Sequence, residues 1–160
     1  MEFDFSNIKV HPLQIANNDI SESWVQMCKL LTGLDKVELP SDYLEFIKKF
    51  GEGLIGGHIK IYPISKLIGN TKFWRGDNQT RAEVSFFKKH KRNDCTMIGE
   101  TLDGDIIIYL MGLYYFSTRQ NEERIYKLGN KFVDILEFFK NDRRYGEVDV
   151  NRFVPFDSSL

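Results

Sequence analysis

The chain has 160 residues, 42% hydrophobic and 28% charged, with 22 basic against 23 acidic side chains and a formal net charge of -1. That length suits one domain, in which folding buries about 70% of the unfolded surface, and the composition matches neither the disordered nor the membrane class. Balanced charge supplies no general pull toward nucleic acid or anionic lipid.

The longest apolar stretch, Ile106 to Tyr115, is interrupted by Gly112 and is too short to cross a bilayer as a helix. The opening Met1-Glu2-Phe3-Asp4-Phe5 is acidic where a secretory leader needs a basic region and an apolar run, so no export is expected. Two cysteines, Cys28 and Cys95, read as reduced core thiols. Together these features predict a soluble, cytoplasmic chain.

In chain order, Asp19 and Glu22 form a capping-box start, and Trp24, Met27, Cys28 and Leu31 follow at helical spacing up to Gly33. A second helix is predicted from Ser41 behind Pro40, with Tyr43, Leu44, Ile47 and Phe50 on its buried side and Gly51 at its end. Gly51, Gly53, Gly56 and Gly57 then read as a loop. The run His58 to Pro63 puts Ile59 and Ile61 on one face and Lys60 on the other, the alternation of a half-buried strand. Between 64 and 94 the pattern gives one helical turn over Ile64 to Ile68, a polar loop over Asn70 to Thr80 and a short helix over Ala82 to Lys89.

From Cys95 the pattern turns to strands. Asp103-Gly104 between two apolar β-formers predicts a hairpin on a type I′ turn. Further strands are expected at Tyr114 to Ser117, after Gly112, and at Arg124 to Leu128, after Gln120-Asn121-Glu122-Glu123. Asn130 is the expected cap of a last helix carrying Phe132, Ile135, Leu136 and Phe139 at helical spacing, with Lys140, Arg143 and Arg144 near its C-terminus complementing the dipole. With no linker or repeat dividing this order, the fold class is α+β: one domain over 1–160, an antiparallel meander covered by helices on one face.

Three stretches carry a family resemblance: Leu39-Pro40-Ser41-Asp42-Tyr43-Leu44-Glu45-Phe46-Ile47 running into Gly51-Glu52-Gly53, then Ile98 to Ile106, then Leu128 to Leu136. Together they resemble the SUKH superfamily, which includes the fungal cell-wall-assembly regulators of the SMI/KNR type and many bacterial immunity proteins. The first resembles the family's Leu-Pro-x-x-Tyr-x-x-Phe helix, the second its strand-turn-strand with Gly-Asp at the turn, and the third its closing helix. The likeness spans roughly residues 20 to 140, and it departs where Phe50-Gly51-Glu52-Gly53 stands in place of the family's Asn-Gly-Gly. What it implies is a scaffold without enzymatic activity or cofactor that binds another protein, in bacteria usually a toxin domain.

Gly51 to Gly56 matches G-x-G-x-x-G, but a helix precedes it and a strand follows, the reverse of a dinucleotide-binding context, so a plain chain reversal is preferred. His11, His58 and His90 are scattered and the cysteines lack neighbouring ligands, so no metal site is expected. No nucleophile elbow occurs. Glu100, Asp103 and Asp105 read first as turn chemistry and second as partner contacts. The basic run Lys88 to Arg92 behind Phe86-Phe87 reads as a solvated segment, with an acidic partner next and nucleic acid last. Within Phe73 to Asp77, Trp74, Arg75 and Asp77 place hot-spot residue types in an expected loop, where a buried anchor and an exposed contact weigh equally. The candidate partner-binding residues are therefore Trp74, Arg75, Asp77, Glu100, Asp103 and Asp105. The leading expectation is an immunity protein acting by stoichiometric binding. The alternatives are a regulatory interaction module, or a hydrolase whose site is assembled only in space.

Overall fold

The computed structural model describes residues 9–10, 39–76, 78–87, 95–119, 122–141 and 148–155. The helix expected from Asp19 to Gly33, with Cys28, and the basic run Lys88 to Arg92 lie outside them, as do Asp77, Arg143 and Arg144. In chain order the elements are β1 (Lys9–Val10), α1 (Ser41–Phe50), β2 (Gly53–Ile55), β3 (Ile59–Ile61), α2 (Ile64–Arg75), α3 (Arg81–Phe87), β4 (Thr96–Thr101), β5 (Ile106–Leu110), β6 (Leu113–Thr118), β7 (Arg124–Gly129), α4 (Phe132–Asn141) and β8 (Arg152–Pro155). No helix among the described residues is long and apolar enough to cross a membrane.

The strands form one sheet in the order β1-β8-β2-β3-β4-β5-β6-β7. From β2 to β7 every neighbour is sequential and antiparallel, which is the expected meander. Strand β8 returns to pair antiparallel with β2, and the two residues of β1 add to it in parallel. Strand β2 replaces part of the expected glycine loop. Gly53 is needed there because a Cβ would stand 2.4 Å from the Val154 carbonyl oxygen and 2.5 Å from the Phe153 ring. Close packing against β8 accounts for this glycine.

Both faces of the sheet carry helices, so the helical cover extends beyond the single face expected. Phe116 packs against Phe139 of α4, while its strand neighbours Tyr115 and Ser117, on the opposite face, meet Phe86, Phe87 and Glu83 of α3. On the first face α1 contributes Tyr43, Phe46, Ile47 and Phe50. Phe46, where Leu44 was expected, belongs to the buried stripe, and it stacks on Phe132 with ring centroids 4.8 Å apart. Helix α4 contributes Phe132, Ile135, Leu136 and Phe139, the four expected.

On the second face α2 runs for 12 residues, through much of the stretch expected as a polar loop. Its inward side carries Ile64, Leu67, Ile68, Thr71 and Trp74. Thr71 makes this face hard to read as apolar, and its hydroxyl is needed at a bulge in β4. The Met97 N–H donates to Thr71 Oγ1 at 3.1 Å, and that hydroxyl faces the Met97 carbonyl oxygen, beside the register shift between Met97 and Gly99. Helix α3 begins with a capping box: Glu83 N–H donates to Thr80 Oγ1 at 3.1 Å and Thr80 N–H donates to Glu83 Oε1 at 2.9 Å.

The turn chemistry exchanges two hairpins. At the β4–β5 tip only Gly104 has positive φ, at 88°, and its N–H donates to the Thr101 carbonyl at 3.0 Å, so the loop is a three-residue turn with a glycine bulge instead of type I′. The two-residue reversal lies at β5–β6, where Met111 (φ 48°) and Gly112 (φ 83°) both occupy the left-handed region between the paired Leu110 and Leu113. The cap of α4 also differs. Asp134 accepts the Lys131 N–H at 3.0 Å, and Asn130 precedes the cap.

Phe46→Ala should cost about 3–5 kcal/mol of unfolding free energy in urea titration, because it empties a site ringed by Phe50, Phe132 and Phe153. Leu44→Ala, at a half-buried position, should cost less than about 2 kcal/mol.

Burial holds the phenols of Tyr43, Tyr62 and Tyr114 neutral well above their ordinary range, Tyr62 also through Glu100 and Tyr114 through Asp42. Once the unfolded phenols ionise above about pH 10, the native state holds more protons than the unfolded one, so stability falls as pH rises, by about 1.4 kcal/mol per pH unit for each such tyrosine. Tyr114→Phe should lower stability at neutral pH and flatten this alkaline slope. An unchanged slope would contradict the assignment.

Candidate functional site

Six residues were expected to contact a partner, and the structure separates them. Trp74 is 1% exposed and its indole N–H donates to Glu83 Oε1 at 3.1 Å. Its ring meets Phe87 edge-on. It is a buried anchor between α2 and α3, and a surface contact is physically closed to it. Asp105 is 4% exposed, and its Oδ1 accepts the Arg119 N–H at 2.7 Å, so it too belongs to the interior. The Arg75 Nε donates to the Cys95 carbonyl at 2.9 Å, tying the end of α2 to the start of β4. Asp77 lies outside the described residues.

The remaining two, Glu100 and Asp103, stay on one rim of the sheet. Glu100 pairs in register with Lys60 across β4 and β3. Asp103 Oδ2 stands 3.6 Å from His58 Nε2, and the Leu102 N–H donates to the His58 carbonyl at 3.1 Å. Leu102 itself is 64% exposed. Beside Lys60 lies Glu52, 3.7 Å away, which also pairs with Lys66 at the start of α2. The rim therefore combines an exposed aliphatic side chain and Asp103 on a short turn with the paired charges Lys60 and Glu100 on the strands beside it. That arrangement suits recognition by shape and charge.

Sequence reading missed the centre of the second face, Glu83. The carboxylate is fully buried, accepting Trp74 Nε1 and Arg119 Nη2 on Oε1 and the Ser117 hydroxyl, at 2.8 Å, on Oε2. The Arg119 contact is 2.9 Å. Arg119 also donates to the Asn78 carbonyl, so the constellation joins α3, β6 and the segment that follows α2. Each acceptor oxygen serves structural donors, and the arrangement works as a clamp. The Thr80-x-x-Glu83 spacing was a legible helix-start signal, but nothing in the sequence marks its carboxylate as buried.

Among the described residues no group of three or more His, Cys, Asp or Glu side chains is arranged to hold a metal ion. Comparison with protein-family models, with curated proteins and with solved structures finds no match to this chain.

Trp74→Ala should cost about 3–5 kcal/mol, since it opens a cavity and strips a donor from Glu83. The neighbouring Phe73→Ala, at an exposed ring, should stay within about 0.5 kcal/mol. Chemical denaturation of the two variants decides between anchor and surface contact.

Proposed function

We propose that this chain is a SUKH-like immunity protein of the cytoplasm that neutralises a toxin domain by stoichiometric binding, using the rim of Leu102, Asp103, His58, Lys60 and Glu100. The observation that carries the reading is the division of polar groups. The buried Glu83 and Asp105 accept hydrogen bonds within the fold, whereas Leu102 and Asp103 stand exposed on a turn fixed to a rigid sheet. Recognition capacity is thus concentrated at the surface. The resemblance is supported by the way its stretches meet: the α1 segment and the α4 segment stack through Phe46 and Phe132 and share a carboxylate, Asp42.

The test is capture with a tagged chain from the native cell, read by mass spectrometry. A toxin domain should be recovered in one-to-one ratio, and co-expression should rescue growth from it. Leu102→Asp and Asp103→Lys should each weaken capture about tenfold or more with the melting temperature unchanged. Recovery of housekeeping proteins alone, with no rescue from a toxin encoded beside it, removes the immunity reading. Recovery of a partner that is not a toxin turns the reading to a regulatory module.

A further inference from the structure

The edge strand of the sheet, two strands from β5, offers a second surface. Strand β7 closes the strand order, and among the described residues no strand pairs with its outer side. Its orientation fixes which groups face outward. The Arg124 N–H and C=O both point to the Thr118 hydroxyl on β6, with N–H to Oγ1 at 3.0 Å. In an antiparallel ladder adjacent residues alternate, and the register from Arg124 to Lys127 is unbroken, so the backbone N–H and C=O of Ile125 and Lys127 turn away from β6. Four backbone groups, two residues apart, therefore form an outward row.

An edge of six residues without proline is long enough to template another strand. Helices α3 and α4 contact β7, and they lie against opposite faces of the sheet. The side chains select the occupant. Ile125, half-buried, and Lys127, exposed, share the face on which α3 lies. Both charged residues within the strand, Arg124 and Lys127, are cations, and Arg124 already pairs with Glu122 at 2.6 Å. Two copies joined along this edge would bring the Lys127 of each to one seam, like charges that disfavour self-association. We propose that β7 accepts an extended segment of another protein by strand addition, the segment carrying an acidic residue opposite Lys127 and an apolar residue two positions away opposite Ile125. Backbone pairing supplies the adhesion, and the acidic–apolar alternation supplies the selection. This surface is separate from the β4–β5 rim and stands on backbone chemistry, whatever the partner at that rim.

The probe is a synthetic peptide, Thr-Val-Thr-Glu-Thr-Val-Thr, titrated into the isotope-labelled full chain, with a control peptide carrying Lys in place of Glu. Expected are chemical-shift changes confined to 124–129 and the flanking strand β6, slower amide exchange at Ile125 and Lys127, and loss of both in Ile125→Pro. The acidic peptide should bind about fivefold or more tightly than the control, and Lys127→Glu, which leaves the backbone intact, should reverse that order. Shifts elsewhere, equal response to the two peptides, or a concentration-dependent dimer broken by Ile125→Pro would each overturn the proposal.

Discussion

The fold is drawn together at one carboxylate. Asp42, in the first turn of α1, accepts the Tyr114 hydroxyl on Oδ1 at 2.6 Å and the Phe132 N–H on Oδ2 at 2.5 Å. The first bond ties the helix to β6. The second satisfies a donor at the start of α4 that has no partner within its own helix. Three elements far apart in sequence thus share one acceptor, and the geometry that lets them do so brings Phe46 onto Phe132. Remove that acceptor and a hydroxyl and an amide beside a packed aromatic layer lose their partner, a larger penalty than the bonds themselves contribute.

The second face is organised by the same physics with different chemistry. Glu83 is buried with Arg119, Ser117 and Trp74 as its donors, so the attachment of α3 depends on a charged group that would be unfavourable there without every partner. Tyr43 adds a link from α1 to the sheet backbone, its hydroxyl donating to the Tyr62 carbonyl just after β3. Two polar knots, one on each side of a sheet rich in Ile and aromatic residues, fix how the helices dock. Apolar burial supplies most of the stabilisation and leaves their orientation loosely specified.

Legibility followed the chemistry of each segment. Helix α4 was readable because its buried side is four large apolar residues at helical spacing, and the meander was readable because its strands are β-forming runs separated by short polar or glycine-bearing turns. Helix α2 was not, since Gly69-Asn70 read as a loop, Thr71 interrupts its apolar side, and the reason for Thr71 is a backbone bulge 26 residues away. Trp74 fell with it: an indole in an expected loop weighs equally as contact or anchor, and only its distance to Glu83 decides. The hairpins show the same limit. Asp103-Gly104 carried the stronger local signal, yet the type I′ geometry fell to Met111-Gly112, where the strand register leaves room for only two residues between Leu110 and Leu113. Turn propensity is a local preference, and the pairing of the strands overrules it.

The candidate rim is legible for a related reason. Glu100 and Asp103 were singled out with the turn; Asp103 is exposed on it, while Glu100 is a half-buried residue of β4. Asp105, two residues on, was grouped with them, but its carboxylate is drawn inward by the Arg119 amide, so one short segment supplies both an interior acceptor and a surface charge. The inward bond limits the freedom of the outward group: with Asp105 held at 2.7 Å and Leu102 bonded to the His58 carbonyl, the tip carrying Asp103 is fixed from both sides. A partner meeting that tip has little loop entropy to overcome, which is the condition under which a small exposed surface of one aliphatic side chain and a few charges can give tight binding.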